Sequence, residues 1–194
     1  MTDTLAKLVR EAGPNCREGA LAWFLNPAPW IGPQAFLHTV FKHADVEVLE
    51  VAAARLRFPT DLVTLLARNN GARLFSGCLA VFGVVATGQL LDRSKPFDLP
   101  PLDIERENLG WRVDPDRLLV VGGYQQDGSR ACIDRTDSRV LVFQRGAKLP
   151  SVAFANLEEW ISREIGRYRE LHDDEGRPIA IQELLGPPRP TPSP

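Results

Sequence analysis

The apolar run Leu118-Leu119-Val120-Val121, closed by Gly122-Gly123 and followed at short intervals by turn residues, constrains this chain more than any other feature. A short apolar run bounded by glycines reads as a central strand, and the stretch from Cys78 to Val85 reads the same way. Beyond Gly123, the turn residues Gln126-Asp127-Gly128-Ser129 and Thr136-Asp137-Ser138 bracket a strand through Ala131, Cys132 and Ile133, and a further strand runs from Arg139 to Phe143. Connections this tight leave no room for a crossover, so successive strands must be antiparallel. The pattern predicts an α+β fold: an antiparallel, mostly meander sheet flanked by helices.

The helices are marked by their ends. Asp45 is a candidate N-cap for a helix reaching about Leu56; the alternation of Val46 and Val48 also admits a strand, and Ala52-Ala53-Ala54 tips the balance. Phe58-Pro59-Thr60-Asp61-Leu62 opens a helix with Leu62, Leu65 and Leu66 on one face, and Asn70-Gly71 supplies a left-handed stop. Pro101 to Leu109 reads as a short amphipathic helix. Asn156 caps the last helix, with Glu159 placed to reach back and Leu157, Trp160, Ile161, Ile165 and Tyr168 on the apolar side. On its wet side Glu159 and Arg163 attract while Arg163 and Arg167 repel.

Residues 1–43 read as a helical extension packed on the core. Leu5, Leu8 and Val9 form one stripe, Pro27, Pro29 and Pro33 interrupt, and a second short helix starting at Pro33 would carry Phe36, Leu37, Val40 and Phe41. Residues 44–172 form the main domain. Residues 173–194 form an acidic and then Pro-rich tail, extended in its last part, in which Ile179, Ile181, Leu184 and Leu185 could act as anchors.

At 194 residues there is room for one domain with a proper core. With 23 Lys and Arg against 25 Asp and Glu, the formal charge of −2 creates no long-range attraction to nucleic acid. The N-terminus lacks the basic and then apolar pattern of a secretion signal, and no apolar run approaches the roughly twenty residues that cross a bilayer, so the expectation is a cytoplasmic protein without membrane contact. Cys16, Cys78 and Cys132 are odd in number and far apart, which encodes neither a disulfide framework nor a zinc site; Cys78 and Cys132 read as small buried residues.

Chemistry is sparsely signalled. His38 and His43 lie five apart, missing the four-residue step that places two ligands on one helix face, and no metal or other cofactor is expected. Ser76-Gly77-Cys78 has a superficial likeness to a nucleophile turn and reads instead as a loop entering a strand. The glycines at 122, 123 and 128 lack the following helix and Lys of a phosphate-binding loop. Asp103, Glu105 and Glu107 are spaced by two, which on a helix turns successive carboxylates about 200° apart and suits a solvated face better than an acid and base pair. Trp30 and Trp111 read as closing the core edge. Tyr124, with Gln125, Gln126 and Asp127 at a hairpin tip, reads as an exposed contact. A small hydrolase or transferase using Tyr124, Asp127 and Asp134 is the enzyme alternative.

Three segments together resemble the SUKH superfamily, which includes a yeast regulator of cell-wall assembly and many bacterial immunity proteins. Phe58-Pro59 through Asn70-Gly71 is similar to the family's helix opening at Leu-Pro and closing at Asn-Gly. Leu118 to Gly123 with Asp127-Gly128 and Ile133-Asp134 is similar to its strand, glycine turn and strand ending in Asp. Phe154-Ala155-Asn156-Leu157-Glu158-Glu159-Trp160-Ile161 is similar to its closing helix start. The resemblance covers roughly Asp45 to Tyr168; Phe58 in place of Leu, extra residues between Gly123 and Asp134, and the N-terminal extension depart from the family pattern.

The resemblance implies an antiparallel sheet flanked by helices and a non-enzymatic immunity protein, monomeric or weakly dimeric, that occludes a toxin domain of nuclease or deaminase type. The partner-binding residues expected on this view are Asp98, Asp103, Glu107, Trp111, Tyr124, Gln125 and Asp127, the acidic ones imitating phosphates. A regulatory scaffold that binds its partner through the sheet rim or the Pro-rich tail is the rival reading.

Overall fold

The paired glycines at the end of the 118–123 run sit where two layers of helix close on one sheet, and their spacing sets which layer touches which face. The structure, a computed structural model, describes residues 4–86, 99–179 and 186–188. Within them one antiparallel sheet runs β1 (Cys16–Glu18), β2 (Ala22–Pro27), β3 (Phe36–Phe41), β4 (Ala72–Leu74), β5 (Leu79–Val81), β6 (Leu118–Tyr124), β7 (Ser129–Asp134), β8 (Val140–Phe143) and β9 (Val152–Phe154), with spatial order equal to chain order. The helices are α1 (Thr4–Ala12), α2 (Val46–Leu56), α3 (Thr60–Leu66), α4 (Ile104–Leu109) and α5 (Leu157–Glu170). This is the α+β meander that the turn spacing predicts. Among the described residues no helix is long and apolar enough to cross a membrane.

Every residue of β6 is buried. A Cβ at Gly122 would stand 2.3 Å from Trp160 Cη2, whereas one at Gly123 would meet the Arg130 side chain at 3.2 Å. Adjacent strand residues point to opposite faces, so Gly122 faces α5 and Gly123 faces the layer that holds α4, whose Glu107 pairs with Arg130 at 2.9 Å. Helix α1 lies along α5, joined by Thr4 to Glu158 and by Arg169 to Glu11 at 2.9 Å. Helices α2 and α4 are tied by Arg55 and Glu105.

Two asparagine side chains complete the sheet where the ladder fails. Strand β5 pairs with β6 only from Gly122 to Tyr124, and past that point Asn108 of α4 serves Val120 as a surrogate strand, donating to its carbonyl at 2.8 Å and accepting from its N–H at 2.9 Å. Asn70 makes the same pair of bonds to Val84, both at 2.8 Å. Each leaves no buried backbone group orphaned at that point.

The helix ends follow the sequence signals. Asp45 accepts from Val48 N–H at 3.1 Å, and Asn156 accepts from Glu159 N–H at 2.9 Å. The Glu159 carboxylate reaches back to Ala155 N–H, one residue before the cap, and also pairs with Arg163 at 3.0 Å. Gly71 has φ +87°, as the left-handed stop requires.

The reading of residues 1–43 as helical needs correction. Only Thr4–Ala12 and a single 3-10 turn at Gly13–Asn15 are helical; Cys16 to Phe41 contributes three strands that widen the sheet. Phe36, Leu37, Val40 and Phe41 mimic helical spacing because Leu37, His38, Val40 and Phe41 are all buried, so β3 displays no in-and-out alternation to read. What settles its identity is pairing with β2 and with β4, some thirty residues onward. The Ile179 side chain is 64% exposed and its N–H bonds to the Leu171 carbonyl at 2.9 Å, Ile181, Leu184 and Leu185 lie outside the described residues, and the Gly186 carbonyl accepts from Arg167 at 3.0 Å.

Gly122→Ala is expected to lower the unfolding free energy by about 2–3 kcal/mol, because the added methyl meets the Trp160 ring and, at 2.5 Å, the Ala80 carbonyl oxygen. Gly110→Ala, with open space around it, should stay within about 0.5 kcal/mol in the same denaturant titration.

Candidate functional site

The acidic run at 103–107 folds as α4, and each carboxylate finds work there. Asp103 is the N-cap and accepts from Glu105 N–H at 3.1 Å; its partial burial raises the carboxyl above the ordinary aspartate value, opposed by Arg55 and Arg106. Glu105 pairs with Arg55, and Glu107 with Arg130. The run is therefore matched by two arginines from distant elements and presents ion pairs in place of bare negative charge. Trp111 packs edge-on against Phe143 with centroids 5.5 Å apart, and its buried indole N–H has no hydrogen-bond partner among the described residues. It closes the core edge, as one reading of the sequence expects.

Tyr124 corrects the sequence reading outright. It is fully buried, and its hydroxyl accepts from Trp160 Nε1 at 3.2 Å. As the last residue of β6 it faces α5, two positions from Gly122, which puts the ring under the helix and away from the hairpin tip. Burial holds its hydroxyl well above the usual tyrosine range, with the nearby Glu164 carboxylate acting in the same direction. Gln125 is exposed, as expected of a tip residue. Asp127 is half-buried and engaged within its own turn, accepting from Ser129 N–H and from Ser129 Oγ, both at 2.8 Å. Gly186 lies against it so closely that a Cβ there would be 2.4 Å from the carboxylate. Asp98 lies outside the described residues.

Arg130 links these two groups: it holds Glu107 and approaches the carbonyls of Gly128 and Ser129 at 3.5 Å. Tyr124, Asp127 and Asp134 do not converge. Asp134 sits at the far end of β7, buried, bonded to Arg117 Nε at 2.8 Å and to Thr136 Oγ1 at 2.7 Å. The Arg117 hydrogen bond is the first cause that holds its carboxyl at about 2. These bonds make it a turn-organising residue.

The sequence reading missed an exposed apolar face beside α4. On α2 Val51 is 65% exposed and on α4 Leu109 is 77% exposed, whereas Val46, 66% exposed, lies on the opposite side of α2 from Arg55. Val51 lies one turn before Arg55, and Leu109 one turn beyond Glu105, so the ion pair is flanked by apolar side chains on both helices. A groove of about 260 Å³ opens between α2 and residues 84–86, lined by Val48, Val51, Ala52, Val84, Val85 and Ala86. The valines of α2 carried the signal: Val46, Val48 and Val51 cannot all share the buried stripe that Leu49 and Ala52 occupy.

His38 is the second missed residue. It is 3% exposed on β3, and its Nδ1 accepts from Phe75 N–H at 3.2 Å. Phe75 stands at φ +51°, strained for a bulky side chain, and this bond helps to hold it. Burial above all, then the positive charge of Arg169 and the neighbouring His172, bring the His38 value down to about 3. A base with a depressed folded value stabilises the fold above its unfolded value of 6.5, and that contribution is lost as pH falls from there toward 3. Between pH 6.5 and 5 the wild type should lose up to about 1.4 kcal/mol per pH unit more than His38→Asn, which keeps an acceptor for Phe75 N–H; urea unfolding at stepped pH measures the difference.

No protein-family model matches the sequence, and no curated protein matches it either.

Proposed function

We propose that this chain is a non-enzymatic protein-binding module of the immunity type, which neutralises a toxin domain of nuclease or deaminase type by covering its active surface through the α2–α4 face. The observation that carries this reading is the exposure of Val51 and Leu109 beside the Arg55–Glu105 pair. Single exposed aliphatic residues are ordinary, but two on neighbouring helices, beside an apolar groove and an ion pair, have the anatomy of an interface, with a dry centre and a polar border. Asp103, which interacts with Arg55, borders this face, whereas Glu107 and Trp111 turn toward Arg130 and Phe143. Rigid helices seated on a sheet lose little ordering entropy on binding.

The matched charges refine the electrostatic part. With Arg55 paired to Glu105 on this face, the surface selects a partner by matched charge and geometry; a uniformly cationic groove would meet repulsion as well as attraction.

The scaffold alternative draws on a different feature, the approach of Gly186 to Asp127 and Arg167, which fixes the chain at the start of the Pro-rich sequence. A chain ending at Gly186 keeps that contact and removes Pro187 to Pro194. Under the immunity reading it protects cells as the full chain does, and under the scaffold reading it releases its partner.

Val51→Gln and Leu109→Gln delete apolar surface without changing charge and suit helices. Together they should weaken binding of the partner that co-purifies from the native cell by at least about tenfold, with stability changed by no more than about 0.5 kcal/mol each. Titration of the identified partner against both proteins measures this, and equal affinities would remove the α2–α4 face from the proposal.

A further inference from the structure

A second groove, remote in sequence from the α2–α4 face, opens between β3 and the residues that follow α5. Its volume is about 520 Å³, within the range of small-molecule sites, and its walls include Trp30, Leu37, His38, Phe75, Arg169 and His172. The two histidines stand on either side of Phe75: His38 edge-on with centroids 4.6 Å apart, His172 tilted at 5.0 Å.

Hydrogen bonding assigns their tautomers. A backbone N–H only donates, so His38 Nδ1, which receives Phe75 N–H, is unprotonated and Nε2 carries the hydrogen. That Nε2–H has no partner among the described residues, although the side chain is almost wholly buried and lines the groove. A carbonyl only accepts, so His172 Nδ1, at 2.6 Å from the Tyr168 carbonyl, carries its hydrogen, and the neutral ring offers its Nε2 lone pair. One groove thus holds an unused donor and an unused acceptor on neighbouring rings. A metal fits poorly, because His38 would have to shed its Nε2 hydrogen while Nδ1 is already engaged.

The charges around the groove narrow the ligand further. Asp173, Asp174 and Glu175 line it, while the cation Arg169 is committed to Glu11 at 2.9 Å. An anionic ligand such as a phosphate ester would meet three carboxylates against two guanidinium groups, Arg169, which is shared with Glu11, and Arg177, which lies over the Trp30 ring at 5.9 Å. A neutral, flat ring suits Trp30, Leu37 and Phe75.

We infer that this groove is a binding site for an uncharged planar heterocycle with an amide edge, a nucleobase or nucleoside, whose carbonyl accepts from His38 Nε2–H and whose adjacent N–H donates to His172 Nε2 while the ring rests on the aromatic wall. Two complementary bonds covered by the ligand itself discriminate against ligands that lack one of them, since a bound ring that fails to pair shields a histidine nitrogen from water without replacing its hydrogen bond. The site shares no lining residue with the α2–α4 groove, so its occupancy can be tested apart from any protein partner.

The test is a titration of the full chain with uracil, hypoxanthine, uridine, uridine 5′-monophosphate and 1,3-dimethyluracil, read by the imidazole NMR signals of His38 and His172. Saturable shifts of both rings with uracil or hypoxanthine are expected; uridine binding as well would identify the nucleoside as the fuller ligand, and its failure would restrict the site to free bases. The monophosphate and the dimethylated base should bind at least about tenfold more weakly. His172→Phe, which keeps a ring against Phe75, and Trp30→Leu should each weaken binding about tenfold with the melting temperature retained. Absence of shifts with both uracil and hypoxanthine, or equal binding of 1,3-dimethyluracil or the monophosphate, overturns the assignment.

Discussion

The contact between Gly122 and the Trp160 ring is the constraint on which the rest of the architecture depends. Only a residue without a side chain lets the indole lie directly on the β6 backbone, and only an indole lying there brings Nε1 to the Tyr124 hydroxyl. Strand β6 is buried along its whole length, covered by α5 on one face and by the α4 layer on the other. A strand in that position must be wholly apolar or small, which is why Leu118 to Gly123 carries no polar side chain. The sheet then extends outward on either side to short edges, Cys16–Glu18 and Val152–Phe154, that offer little template for unwanted pairing.

Charge is distributed to serve this frame. Glu164 is buried on α5, where burial lifts its carboxyl above the ordinary glutamate value against the pull of Arg167, its partner at 2.7 Å. Arg167 also stacks over Tyr168 at 4.3 Å and holds Gly186, so one guanidinium ties helix, aromatic core and tail together. Asp134 and Arg117 perform a similar task at the opposite end of β6 and β7. Such pairs are costly to break because each would leave a buried charge unmatched, and this favours one definite geometry over alternatives.

Two surfaces remain after the frame is accounted for. The α2–α4 face presents apolar side chains around an ion pair and suits a macromolecule; the His38–His172 groove is concave, mixed in polarity and sized for a small ring. They differ in the scale of what they can cover, and each is held by rigid elements: two capped helices in the first case, the strained Phe75 turn and the end of α5 in the second.

Caps, turn residues and glycines act over a few positions, and those were readable. Asp45, Asn156, Gly71, the central strands and the apolar stripe of α5 all lie where local chemistry places them. The same chemistry misjudged Phe36 to Phe41, whose strand character comes from β2 and β4, and Tyr124, whose burial comes from a helix 36 residues later in the chain. Nor could it anticipate that Arg55 and Arg130 would neutralise the acidic run, or that Val51 and Leu109 would be left uncovered. The sequence by itself determined the meander from β6 to β8, since short connections permit only antiparallel neighbours. Which side chains face water, meet an opposite charge or lack a partner was decided by tertiary packing alone, because exposure and pairing depend on residues brought together from distant parts of the chain.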